Sequence, residues 1–176
     1  MRRRVLSAIM TVTRSNLARQ TRFDSLQQEA YLNLWRTYDR LKVVEDELFV
    51  QFDLSAQQYN ALRLLDAVHP GAMPTLALGQ RLISRAPDMT RMLDRLEERG
   101  LVQRERRPEN RRVVEVIIAP AGRQLLKELS SRVRDGHKRQ LGHLTALQLK
   151  QLIELLKLAR NPHEEAGSRW HSAAHD

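Results

Sequence analysis

The 176-residue chain contains no cysteine. That rules out a disulfide and a thiol-based peroxide sensor. No apolar run approaches the ~20 residues needed to span a bilayer, so no membrane partner is expected. The N-terminal MRRRVLSAIM starts basic, but its apolar stretch is too short and too interrupted for a secretory signal. A cytoplasmic location follows as the default expectation. Acidic residues are missing from residues 1–22, where six arginines supply +6 of the formal +9. Residues 23–160 carry about +5 and residues 161–176 about −2. The total suggests a polyanionic partner, although much of it lies in the N-terminal segment. That segment reads as a basic flexible tail, either an arm on DNA or a solvated extension, with Met10 as a later candidate start.

The signatures of catalysis are missing too. None of the six histidines (His69, His137, His143, His163, His171 and His175) stands at metal-ligand spacing from a second ligand in an ordered element. His137 and His143 are six apart and off one helical face, and His171 and His175 fall in a C-terminal segment expected to be flexible. No serine sits in a G-x-S-x-G context, and the glycines form no phosphate loop. No catalytic residue, metal site or cofactor is expected, and the chain does not read as an enzyme.

What is present is concentrated in residues 76–122. Leu76, Leu78, Leu82 and Ile83 recur at helical spacing, with Gly79 small enough for a close helix approach. Ser84 is a candidate cap for the next helix, and Pro87 is tolerable in its first turn. Over Asp88–Arg99, the residues Met89, Met92, Leu93 and Leu96 form one apolar stripe, and Gly100 stops the helix. A rotation of 100° per residue puts Arg91, Asp94 and Glu98 opposite that stripe, with Asp88, Thr90 and Arg95 on its flanks. LVQRERR and RRVVEVII, on either side of Pro108-Glu109-Asn110, read as two strands and a turn. Five arginines (104, 106, 107, 111 and 112) crowd this hairpin against two acids (105 and 109). Helix, turn, helix and basic hairpin together make a winged DNA-binding unit.

Around it lie amphipathic helices. Tyr31, Leu34, Trp35, Tyr38, Leu41, Val44 and Leu48 make a sustained stripe over residues 24–50. Ser55 with Gln58 forms a capping-box pattern leading into Tyr59, Leu62, Leu64 and Leu65, and His69-Pro70-Gly71 breaks that helix. A long helix is expected after Pro120. Thr145 caps a last one bearing Leu149, Leu152, Ile153, Leu155 and Leu156, and Asn161-Pro162 ends the order. The flanking helices are more apolar than they can bury alone, which points to a twofold homodimer with two reading helices about one DNA turn apart. The alternative is that they close a monomeric core.

The run Thr90-Arg91-Met92-Leu93-Asp94-Arg95-Leu96-Glu97-Glu98-Arg99-Gly100-Leu101-Val102-Gln103-Arg104 resembles the multiple-antibiotic-resistance regulator (MarR) family pattern T-R-x-L-D-R-L-E-x-x-G-L-V-x-R. Asn110-Arg111-Arg112 falls where the family has a wing D-x-R, and Ala119-Pro120-Ala121-Gly122 where it has T-x-x-G. The resemblance is in register over about residues 31–158. Two departures stand out. Asn110 in place of the acid turns an ion pair into at best a neutral hydrogen bond, and Ala119 in place of threonine loses a helix cap.

The resulting expectation is a mainly α fold with a small β-hairpin wing. The winged helix-turn-helix spans about 54–118, dimerisation helices about 24–52 and 120–158, and flexible tails 1–22 and 161–176. The expected partners are double-stranded DNA and a second copy of the chain. Arg91 is the leading base contact, with guanine N7/O6 its usual target; pairing with Asp94 or Glu98 is its alternative. Arg85, Pro87 and Thr90 flank it near the helix start. Asp88 is either an acceptor for cytosine N4 or an acid favoured by the helix dipole. Arg95 is a phosphate contact or an intramolecular partner. Arg106 and Arg107 suit phosphates, and Arg112, with Arg111 its competitor, holds the wing place that inserts into the minor groove. The resemblance also implies a small aromatic or anionic effector, for which Trp35, Tyr38, Tyr59 and His69 are the candidate lining. Repression by operator occlusion is the leading reading. An adaptor module without operator specificity, or nonspecific nucleic-acid coating through the basic tail, are the alternatives.

Overall fold

A computed structural model describes residues 23–83, 88–106 and 113–164. Its elements run α1 (Leu26–Val50), α2 (Ala56–Asp66), β1 (Met73–Pro74), α3 (Thr75–Arg81), α4 (Met89–Glu98), β2 (Val102–Arg106), β3 (Val114–Ile118), α5 (Pro120–Leu141) and α6 (Ala146–Arg160), then a 3-10 turn (Asn161–His163). The strands form one antiparallel sheet in the order β1-β3-β2. Chain contacts divide the molecule into a unit ending at Lys42 and a second beginning at Val43.

In the first unit, α1 starts on a reciprocal cap. Ser25 Oγ accepts from the Gln28 N–H at 3.1 Å, while Gln28 Oε1 accepts from the Asp24 N–H at 2.7 Å. Tyr31, Leu34, Trp35 and Tyr38 of its apolar stripe are all exposed, and the Tyr31 and Trp35 rings lie 6.2 Å apart.

The second unit is built around buried leucines and valines. Leu62, Leu65, Leu78, Leu93, Leu96, Val102, Val116 and Leu129 are fully enclosed, so α2, α3, α4, α5 and the sheet share one core. Burying a side chain of this size contributes about 1.5–3 kcal/mol. The capping box before α2 is present as expected. Ser55 Oγ accepts from the Gln58 N–H, and Gln58 Oε1 from the Ser55 N–H. Thr145 and Gln148 make the same arrangement before α6. Ala119 offers no side-chain cap to α5, which starts directly on Pro120.

Four local expectations change. Leu78 and Leu82 are buried, but Leu76 and Ile83 are exposed, because α3 is only seven residues long and turns one narrow face inward. The helix after the turn begins at Met89 with Asp88 as its N-cap, so Ser84 is not its cap and Pro87 precedes it. Gly79 does not require its small size, since an added Cβ would meet the Met89 side chain at an ordinary 3.8 Å. The third strand, β1, is new. It is a two-residue bridge to β3, pairing Met73 with Val116 and Pro74 with Glu115. Gly100 stops α4 as expected, with φ of 66°.

Candidate nucleic-acid interface

Helix α4 divides sharply into a buried and an exposed face. Met92, Leu93 and Leu96 are buried and Met89 is half-buried, which fixes the rotation of the helix about its axis. That rotation leaves Thr90, Arg91, Arg95 and Glu98 exposed on the other side. Asp88 caps the first turn, its Oδ1 accepting from the Arg91 N–H at 2.9 Å. Its carboxylate therefore has a structural task at the positive end of the helix. The chain ahead of α4 is also tied down: Asn60 Oδ1 on α2 accepts from the Ile83 N–H at 3.1 Å.

Strands β2 and β3 pair from Val102↔Ile118 to Arg106↔Val114, forming the base of the expected wing. Arg106 is exposed at its outer end. Arg107, Arg111 and Arg112 lie outside the described residues, as do Arg85 and Pro87. Among the described residues, Thr90, Arg91, Arg95 and Arg106 are thus expected DNA contacts that are exposed and free of an ion pair, and Asp88 is exposed but engaged as the helix cap. Neither alternative partner of Arg91 engages it. Asp94 is held elsewhere.

Its partner is Arg104, which the sequence reading counted only as part of the basic hairpin. The Arg104 guanidinium reaches Asp94 Oδ1 at 2.7 Å and Glu97 Oε2 at 2.5 Å, with Nε donating to the same Glu97 oxygen at 2.8 Å. The Arg104 N–H donates to Glu97 Oε1 at 3.0 Å. The hydrogen bonds from Arg104 hold the Glu97 carboxyl below the usual carboxylate range, and the Arg104 pKa is raised in turn by its bond to Glu97. A depressed carboxylate contributes stability above its unfolded pKa of about 4.3 and loses it as pH falls through the lower folded value. Glu97→Gln is therefore expected to be less stable than the parent near pH 7, with the gap closing below about pH 4. Urea titrations at both ends of that window measure it; an unchanged gap would contradict the pairing.

A second arginine missed from sequence is Arg99, at the C-terminal end of α4. Its guanidinium donates to the backbone carbonyls of Asp53 and, at 3.0 Å, of Phe52, tying α4 to the turn between α1 and α2. Asp53 holds that turn with φ of 49°. Neither arginine's partner lies at a spacing that sequence periodicity reads.

The expected effector residues fall in both units, Trp35 and Tyr38 in the first and Tyr59 and His69 in the second. Tyr59 is half-buried, its ring 4.8 Å from that of Phe49, and burial raises its phenol pKa against the opposing pull of Arg63. It lines a cavity of about 30 Å³ with Val44, Leu48 and Phe49 of α1 and Val133 and His137 of α5. That is room for about one water molecule. His69 is exposed in the turn after α2 and does not line this cavity. Trp35 and Tyr38 are exposed on the first unit. Among the described residues no helix is long and apolar enough to cross a membrane, and no three potential ligands cluster around a metal position.

Comparison with known proteins places this helix and hairpin in a known family. The MarR family profile matches residues 54–114. The HTH-type transcriptional repressor IacR of Pseudomonas putida is 24% identical over 137 residues, covering 77% of this chain and 81% of the repressor. A mutant of E. coli MarR solved with operator DNA shares the fold at a TM-score of 0.67 and 24% identity, over 77% of this chain and 99% of that one. A MarR transcription factor from Planctomyces limnophilus is 63% identical, with a TM-score of 0.63 over 78% of this chain and 99% of that one. At that identity and coverage, the chain belongs to the MarR family, whose members are transcription regulators rather than enzymes.

Proposed function

We propose that the protein is a homodimeric, cytoplasmic repressor that reads a palindromic operator through α4 and its wing. The observation that carries this reading is the exposed face of α4. Thr90, Arg91 and Arg95 are held outward because Met92, Leu93 and Leu96 are locked in the core, and none of the three is consumed by an ion pair among the described residues. On this reading Arg91 takes a base edge, with Arg85, Pro87, Asp88, Thr90 and Arg95 around it. Arg106 and Arg107 take phosphates, and Arg111 and Arg112 the minor groove.

Dimerisation is supported by apolar surface that a lone chain leaves in water. Helix α6 has no buried residue, and Leu147, Leu155 and Leu158 on it are each about two-thirds exposed. The α1 stripe of the first unit is similarly uncovered. A second copy of the chain would cover both. Repression is the role named for the Pseudomonas relative. For an effector, the cavity beside Tyr59 is the place to look. A ligand larger than water would have to favour an opened arrangement of α1, α2 and α5 over the closed one, shifting operator affinity through that difference alone.

The test is selection from random duplex DNA with the purified full-length protein at about 150 mM salt. A palindrome with half-sites about 10 base pairs apart is expected. Recovery of unenriched DNA would reject operator reading and leave the adaptor or nonspecific-binding alternative.

A further inference from the structure

Helix α4 carries acids in its second and third turns that ought to weaken it as a DNA reader. Asp94 lies three residues after Arg91 and one before Arg95, at a spacing where an acid pairs with Arg91 along the same helix. Glu97 follows one turn later. Both carboxylates are instead gathered by one guanidinium from outside the helix. Arg104 stands on β2, on the same strand face as the buried Val102 and opposite the buried Val116, with its side chain 27% exposed. From there it spans Asp94 and Glu97, while its backbone N–H takes the second Glu97 oxygen. Three side-chain bonds and one backbone bond at a single residue make a rigid joint rather than a flexible surface pair. Two residues further on, the described strand ends at Arg106. Arg104 is therefore a tether between the reading helix and the paired strands at the base of the expected wing.

We propose that Arg104 is a positioning residue for DNA recognition, one that fixes the angle of the wing against α4 and keeps Asp94 off Arg91 without touching DNA itself. The inference rests on the DNA-binding reading above. It assigns two consequences to one side chain. Arg106, at the outer end of β2, meets the DNA backbone in register with α4 only while the joint holds, and Arg91 stays available because its neighbouring acid is already taken. The rigid fork matters, since a lysine could supply the charge but not bridge two carboxylates and a planar oxygen pair.

The selected duplex provides the test. Arg104→Gln is expected to weaken operator binding about tenfold or more, and adding Arg106→Ala is then expected to cost under about twofold, against several-fold in the parent. Losses that simply add, with the salt slope falling by about one, would make Arg104 a phosphate contact and overturn the proposal. The decisive variant is Asp94→Ala with Glu97→Ala, which breaks the joint from the helix side and keeps the Arg104 cation. Removing two negative charges from a DNA-facing helix should tighten binding if electrostatics alone mattered. Positioning instead requires binding to weaken about tenfold, with the same lost sensitivity to Arg106→Ala. Unchanged or tighter binding by this variant overturns the proposal. Thermal melting establishes that each variant is folded at the assay temperature; Arg104→Lys replaces either one that is not, with the same weakening expected. A parent protein that enriches no sequence would reject the DNA-binding reading. A parent that enriches an operator while the variants bind normally would reject this inference alone.

Discussion

Gly122→Ala is expected to destabilise the protein by about 2–4 kcal/mol, in spite of alanine being the better helix former. Gly122 sits buried in the first turn of α5, where an added Cβ would fall well inside van der Waals contact of the Leu101 carbonyl oxygen and 3.0 Å from Ile118 Cγ1. Two features prevent easy relief. The obstacle is backbone, not the end of a flexible side chain, and the same Leu101 oxygen is pinned by accepting from the Ala119 N–H at 3.0 Å. The propensity gain of about 1 kcal/mol is thus outweighed by displacement of α5 from the sheet. Gly79→Ala is the internal control, since its Cβ would have ordinary contacts only. Denaturant unfolding of the two variants decides the matter. Equal midpoints would mean that the α5–sheet contact yields at little cost and that the packing argument fails.

Arg91→Ala is expected to cost about 1–3 kcal/mol of operator binding, roughly five- to 150-fold, and to relax preference at one base position of each half-site. The argument is geometric before it is electrostatic. Arg91 is exposed because Met92 and Leu93 beside it are anchored, and its first-turn N–H is held by Asp88. Arg106→Ala is the comparison: at the edge of the wing base it should weaken all sequences alike and lower the salt slope by about one. Competition binding against the operator and a scrambled duplex separates the two behaviours. Matching losses on both duplexes for Arg91→Ala would remove it from the bases and place it on the phosphates.

The reading helix was legible because its signals are local. Met89, Met92, Leu93 and Leu96 repeat at the helical period and turn inward, and Gly100 ends the helix with a left-handed φ, whereas the cap is Asp88 and not the expected Ser84. The hairpin strands were legible for the same reason, as β-rich runs on either side of a turn. The capping boxes at Ser55 and Thr145 need only a three-residue spacing, and both are present. Misreadings came where one element's face depends on another. Leu76 and Ile83 fit a helical period but stay exposed, because the seven-residue α3 turns only one narrow face inward. Strand β1, at two residues, is below any periodicity and exists only because β3 lies beside it.

The arginines show where that division falls. Residue order alone determined that this protein carries a capped amphipathic helix, a basic hairpin and flanking helices richer in apolar surface than one chain buries, since propensity, capping and patterning act over a few residues. It also sufficed to identify the family. Which arginine does what was decided only by tertiary structure. Arg104 and Glu97 meet across the α4–β2 turn, and Arg99 reaches the carbonyls of Phe52 and Asp53 from far along the chain. A guanidinium's role depends on whether a carboxylate, a carbonyl or open solvent lies within about 3 Å of it, and that distance is set by how helices and strands pack, not by their spacing in sequence.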